Sequence, residues 1–244
     1  MCIRDRNEVV VIDHSYQTVR NYPMGNISWA ILDVANVNTI PGAEILVSIG
    51  AGVRVVNDNY GSMRDIPFPD RSSWGLFALA DLTGQGLDLV VSKAGGVRVV
   101  NPRSFTYKDF NFAGTSAIVA VANLNGKTGQ QIVGRTADSV YVVTGGSTGA
   151  ARLYPISKTE SWAIYQRLAD TDGKVGEEII VTLPTALWVV RHANMTTKPY
   201  PVGTGYAIDA LQNIDSRPGS EILIRTNSGA VKVINDALGT ISNR

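Results

Sequence analysis

The sequence predicts an all-β fold, a β-propeller of four-stranded blades, on three observations. A strand-like opening recurs at Trp29, Trp74, Ala117, Trp162 and Tyr206, which stand 45, 43, 45 and 44 residues apart. A loop glycine keeps the same beat at Gly42, Gly86, Gly129, Gly176 and Gly219. Each is followed two residues later by Glu44, Asp88, Gln131, Glu178 or Glu221 and then an apolar run. Between these marks lie short β-branched runs bounded by Gly, Asn, Asp or Pro, with no helical period. Four strands in a repeat of about 44 residues fit a propeller blade better than a sandwich array, the alternative architecture.

In the first full repeat, 28–34 reads as strand one and 35–43 as a loop. Strands two, three and four follow at 44–49, 52–57 and 63–68. The later third strands are 97–100, 140–143, 187–190 and 231–234. The expected blades are 28–72, 73–115, 116–160, 161–205 and 206–244, and residues 7–27 supply only strands three and four of a half blade. Continuous apolar runs in strands two and three are expected where a blade is covered on both faces. The second position of strand three holds Arg54, Arg98, Tyr141, Trp188 and Lys232. These side chains are expected to lay apolar stems on the neighbouring blade and put their tips in water.

Residues 1–6, Met-Cys-Ile-Arg-Asp-Arg, back-translate to a transposase adapter end and read as a sequencing scar. On that reading 7–244 is one propeller domain, a fragment of a six- to eight-bladed parent whose targeting segment lies outside it. Without the two arginines and one aspartate of the scar, 20 basic and 20 acidic residues remain, which gives no general attraction to nucleic acid. Cys2 is the single cysteine, so no disulfide framework or cysteine nucleophile is expected. No apolar stretch approaches the roughly 18 residues of a membrane span.

Aligned on its glycine, the loop reads Asn36-x-Asn38-x-Ile40-x-Gly42-x-Glu44 in the first blade and Asp170-x-Asp172-x-Lys174-x-Gly176-x-Glu178 in the fourth. The fifth has Asn213, Asp215, Arg217, Gly219 and Glu221, the third Asn123, Asn125, Lys127, Gly129 and Gln131, and the second a shorter Asp81, Thr83, Gln85, Gly86 and Asp88. This spacing resembles the FG-GAP or VCBS repeats of integrin-α-like β-propellers. The resemblance implies a binding module of an exported or cell-surface bacterial protein, and calcium held by oxygens at loop positions one, three, five and nine. Position five carries no carboxylate in any loop here, and calcium needs six to eight oxygens. Asn and Asp are therefore expected to cap tight turns, with no cofactor required. The fourth loop, with Asp170, Asp172 and Glu178, is the one candidate for calcium. Lys174 and Arg217 stand where a metal ligand is implied, and each is expected to replace the ion by pairing with the acids around it.

The two histidines, His14 and His192, follow third strands of different blades and read as turn residues. Gly145–Gly149 opens no helix, which a phosphate cradle requires. No nucleophile elbow, Walker loop or zincin motif occurs. Trp29, Trp74 and Trp162 recur in phase, as packing residues do, whereas Trp188 and Tyr141 break the pattern of their position and are the candidate ligand contacts. The expected function is non-catalytic recognition of a protein or glycan, without nucleic-acid binding or membrane insertion. A polysaccharide lyase or hydrolase, or its accessory domain, is the alternative.

Overall fold

The computed structural model describes residues 2–4, 7–13, 17–70 and 73–243, so His14 lies outside the described residues. The described strands form one three-stranded and five four-stranded sheets, all antiparallel, and in each four-stranded sheet neighbours in sequence are neighbours in space. These up-and-down sheets are the blades of a β-propeller. Blade 1 comprises Ala30–Ala35, Glu44–Ser48, Gly52–Asn57 and Ser62–Pro67, and blade 2 comprises Trp74–Ala80, Asp88–Lys93, Gly96–Asn101 and Thr106–Asn111. Blade 3 runs from Ala117–Ala122 through Gln131–Arg135 and Ser139–Thr144 to Ala150–Pro155. Blade 4 consists of Ala163–Ile164, Ile179–Thr182, Ala186–Arg191 and Thr196–Pro201, and blade 5 of Tyr206–Gln212, Glu221–Thr226, Val231–Asn235 and Thr240–Asn243.

Residues 7–27 supply two strands of the half blade, Glu8–Asp13 and Thr18–Pro23, and the sheet gains a third from outside that range. Glu8–Asp13 pairs with Thr18–Pro23 on one side and with the backbone of Cys2–Arg4 on the other, inside the segment read as a scar. An open strand edge presents unpaired N–H and C=O groups to any extended segment, whatever its side chains.

Second and third strands are buried because blades cover them on both faces. Leu46, Val53, Leu89 and Val100 in blades 1 and 2, and Val133, Val140, Ile179 and Val190 in blades 3 and 4, are wholly shielded from water. Each such side chain contributes about 1.5–3 kcal/mol of transfer free energy. First strands carry a bulge in blades 1, 2, 3 and 5, at the register shifts Ile31/Asp33, Leu76/Ala78, Ile118/Ala120 and Ile208/Ala210. Blade 4 places one residue more between Trp162 and Asp170 than blade 1 places between Trp29 and Asn36. Its first strand is accordingly cut to two residues, followed by an isolated bridge from Ala169 to Glu178. The released segment begins at Tyr165, whose N–H still reaches the Ile180 carbonyl at 2.8 Å.

The chain divides into two compact units, 1–111 with 145–149, and 112–144 with 150–244. Among the described residues no helix is long and apolar enough to cross a membrane.

Candidate functional site

The repeated loop closes on its own side chains. At position one, Asn36, Asp81, Asn123, Asp170 and Asn213 each accept through Oδ1 from backbone N–H groups two to four residues ahead. At position three, Asn38, Asn125, Asp172 and Asp215 accept from position five. The carboxamides of Asn36, Asn123 and Asn213 also donate to the position-five carbonyl, so one side chain bridges donor and acceptor across the turn. The residue at position nine is buried in every loop, and in loops one, three, four and five it accepts the position-two N–H, as Glu44 does from Val37 at 3.0 Å and Glu178 from Thr171 at 2.7 Å. This is Asx capping.

The loops of the second unit are also a seam between blades. The Glu177 N–H donates to Asn123 O at 3.0 Å and the Ser220 N–H to Asp170 O at 2.8 Å, so loops four and five each hang on the loop before. That contact explains the glycine. Gly176 has φ +116°, and a Cβ there would lie 2.5 Å from Leu124 O; Gly219 has φ +100°, and its Cβ would lie 2.7 Å from Gly173 N.

The expected pairs between position-five cations and loop acids are present but exposed, and better-buried pairs are made by other residues. Lys174 approaches Asp172 at 3.6 Å with a side chain 74% exposed, and Arg217 lies 3.9 Å from Asp215, also exposed. Both heads stand in water, where solvent weakens the attraction. The internal cations come from the end of strand three in blade 4 and from the turn after strand three in blade 2. Arg103 binds Asp88 Oδ1 at 2.8 Å, and Arg191 faces Asp172 at 3.5 Å while its fork grips the buried Asp236. Asp236 also accepts from the Tyr200 hydroxyl and from Thr171 Oγ1 at 3.0 Å. In loops one and five the place of the guanidinium is taken by Asn57 and Asn235, which donate to Glu44 and Glu221.

Calcium does not fit loops one, three and five, where carboxamides already bridge the positions a cation would tie. In loop four Asp170, Asp172 and Glu178 bring carboxylate oxygens within 4.8 Å of one another, yet Asp172 already faces Arg191 and Lys174. Desolvation, reinforced by Asp172 and Asp170, pushes Glu178 up to about 7. Desolvation likewise raises Asp88 to about 6 against the pull of Arg103, and Asp88 Oδ2 and Thr83 Oγ1 are buried without hydrogen-bond partners.

The candidate ligand contacts turn inward. Tyr141 is completely buried, its ring lies over Gly134 and stacks on Phe112 at 4.1 Å, and its hydroxyl has no partner. Burial alone raises its pKa. Arg98, at the same position, is 1% exposed, sandwiched between Phe68 and Tyr107 and paired with Asp109 and Asp70. The expectation that tips at this position reach water therefore fails for both, because Arg98 is covered by Phe68 at the end of blade 1 and by Tyr107 of its own blade, and Tyr141 by Phe112 and by Gly134 opposite. Trp188 is half-buried against the core around Trp162 and Ile179. His192 is also structural. It is buried, bonded through Nδ1 to the Tyr154 hydroxyl at 2.7 Å, and held below its ordinary pKa by desolvation.

Open concave surface lies instead beside the first strands. In the second unit a groove of about 640 Å³ runs between the openings of blades 4 and 5. Half-buried Tyr165 and Tyr206 line it with the hydroxyl residues Ser161, Thr182 and Thr204, and no charged residue contributes. Trp162 Nε1 donates to Ala137 O at 3.0 Å and the Tyr206 hydroxyl to Leu183 O and Ala186 O, which fixes these rings in place. A related groove of about 490 Å³ in the first unit contains Ser28, Trp29, Ser73 and Trp74. The Trp periodicity marked these rings as packing residues; the grooves they flank had no signal of their own in the sequence.

No protein-family model and no curated protein matches the chain. Solved structures similar to it include dipeptidyl peptidase 4 of Porphyromonas gingivalis, at 10% identity and a TM-score of 0.48, over 99% of this chain and 42% of that one. Virginiamycin B lyase from Staphylococcus aureus aligns at 9% identity and a TM-score of 0.42, over 98% and 77% of the two chains. The WD40 domain of SCAP from fission yeast aligns at 10% identity and 0.40, over 96% and 56%. The chain thus spans less than two thirds of the peptidase and of the WD40 chain, and at these identities no residue role passes to it.

Proposed function

We propose that this chain is a non-catalytic recognition propeller that takes a neutral, hydroxyl-rich ligand, a glycan, in the groove between the openings of blades 4 and 5. The observation that carries this reading is the lining of that groove, with the Trp162 and Tyr206 rings held by their own polar tips, Tyr165 in the same lining, hydroxyl groups around them and no charged side chain. Rings offer apolar faces to sugar C–H groups while hydroxyls exchange hydrogen bonds, and a volume of this size suits a small ligand. The FG-GAP or VCBS relationship suggested by the loop spacing, and the exported setting it implies, belong to the same proposal. Catalysis is not part of it. The buried acids are engaged in loop closure and in pairing with Arg103 and Arg191, which supports a structural use for them.

Saturation-transfer NMR with a panel of neutral oligosaccharides tests this reading. Transfer to at least one sugar is expected, and its loss in Tyr165→Ala. A sugar signal that survives Tyr165→Ala, or release of shortened products from an acidic polysaccharide, would overturn it.

A further inference from the structure

In the half blade and in blades 1–4 a cation occupies the third position of the last strand, at Arg20, Arg64, Lys108, Arg152 and Lys198, whereas blade 5 has Ser242 there. Within each unit its head rests on the turn between strands three and four of the next blade. Arg20 donates to Asp58 O, Lys108 to Gly149 O at 2.5 Å, and Arg152 approaches Met195 Sδ at 2.8 Å. Lys198 lies against Gly239. Arg64 departs from the rule. Its guanidinium carbon lies over the Phe105 ring, 4.0 Å from the centroid, and none of the guanidinium N–H groups meets an acceptor among the described residues.

Phe105 itself is held at φ +57°, in the left-handed region that Gly61 and Gly239 occupy in the corresponding turns. A bulky side chain there costs about 1–2 kcal/mol, and residues kept in such a conformation cluster where a ligand is held. The ring and the guanidinium flank a partly open cavity of about 330 Å³ in the first unit. Val55 supplies apolar wall, and the exposed Tyr60 and the buried Glu44 are also in the lining. Arg103, also in the lining, is neutralised by Asp88, and the Asn38 and Asn57 amides are spent on Glu44. The uncommitted charge is Arg64 alone.

We propose that this cavity binds a small monocarboxylate with an apolar ring or branched body, its carboxylate paired with the Arg64 fork and its body against Phe105 and Val55. With none of its N–H groups engaged, the guanidinium keeps the fork of donors that grips a carboxylate bidentately. The Glu44 carboxylate disfavours a second negative charge on the ligand. The site is separate from the groove of blades 4 and 5, and its ligand differs in charge.

The test is an amide NMR titration of the full chain with sodium benzoate, benzyl alcohol and inorganic phosphate. Benzoate is expected to shift Tyr60, Arg64 and Phe105. Benzyl alcohol and phosphate should bind at least tenfold more weakly, Arg64→Gln should weaken benzoate at least tenfold, and Arg64→Lys should fall between. Arg64 is exposed, so neither variant threatens the fold. Equal binding of the alcohol, tighter binding of phosphate, undiminished binding by Arg64→Gln, or absence of shifts at these residues would overturn the site.

Discussion

Replacing Arg191 by methionine removes the cation that holds loop four to blade 5. Its fork donates to both oxygens of Asp236, with Nε to Oδ2 at 3.1 Å, while Nε stands 3.5 Å from Asp172. The Asp236 side chain has no exposure and that of Arg191 is 14% exposed, so water screens the pair weakly. Breaking a buried pair costs about 3–5 kcal/mol because an uncompensated charge remains. Tyr200 and Thr171 still donate to Asp236 in the variant, which places the loss near the lower end, at ~3 kcal/mol. For a chain of this length that is a fall in Tm of roughly 6–12 °C. Calorimetric melts of Arg191→Met, Asp236→Asn and the double variant measure it. The double variant is expected to recover about 1–2 kcal/mol relative to the sum of the singles, since neither charge is then stranded. A single variant that melts within a degree of the parent, or strict additivity, would show that the pair does not hold the blades.

Three further outcomes follow from the same geometry. Glu178 is raised to about 7, so it favours folding when protonated. The contribution is complete below about pH 4.5 and disappears as pH rises through 7, at most ~3 kcal/mol, and Glu178→Gln should flatten that part of the stability profile in urea titrations at successive pH values; an unchanged difference between pH 4.5 and 8 refutes it. Met195 is exposed at φ +61° in the turn position that Gly61 and Gly239 fill, so Met195→Gly should stabilise by about 1 kcal/mol and raise Tm by a few degrees, whereas a lower Tm would show that the Arg152 contact outweighs the backbone term. Because side chains close the loops, millimolar calcium or a chelator is expected to leave the melting curve of the parent unchanged; a calcium-dependent rise lost in Asp172→Asn would show that loop four holds the ion.

The 44-residue beat made the blades legible, since opening residue, loop glycine and position-nine acid are fixed by backbone geometry that every blade shares. Asx capping was legible for the same reason, because position-one and position-three side chains act within four residues. What escaped were the partners that sequence distance hides. Arg191 meets Asp236 across 45 residues and Tyr154 meets His192 across 38. A phase signal for them existed. Tyr22, Tyr154 and Tyr200 stand at the same strand-four position, and each reaches the residue after strand three of the next blade, Asp58, His192 or Asp236. Where that tyrosine is Ile66 or Phe110, the matching residue is Pro102 or Gly145, which offers no side-chain acceptor. Tyr141 was misleading because its exposure depends on Gly134 opposite and on Phe112, and neither pairing follows from alternation along one strand. The loosened opening of blade 4, which sets Tyr165 in the groove, depends on a single additional residue.

A glycan array probed with three proteins, the parent, Tyr165→Ala and Asp170→Asn, separates groove from loop in one measurement. Asparagine already serves at position one in loops one, three and five, so the loop variant keeps its fold. Capture of neutral glycans by the parent and by Asp170→Asn, with loss in Tyr165→Ala, is the expected pattern. Capture that disappears with Asp170 and persists without the Tyr165 ring would place recognition in the loop and contradict the groove.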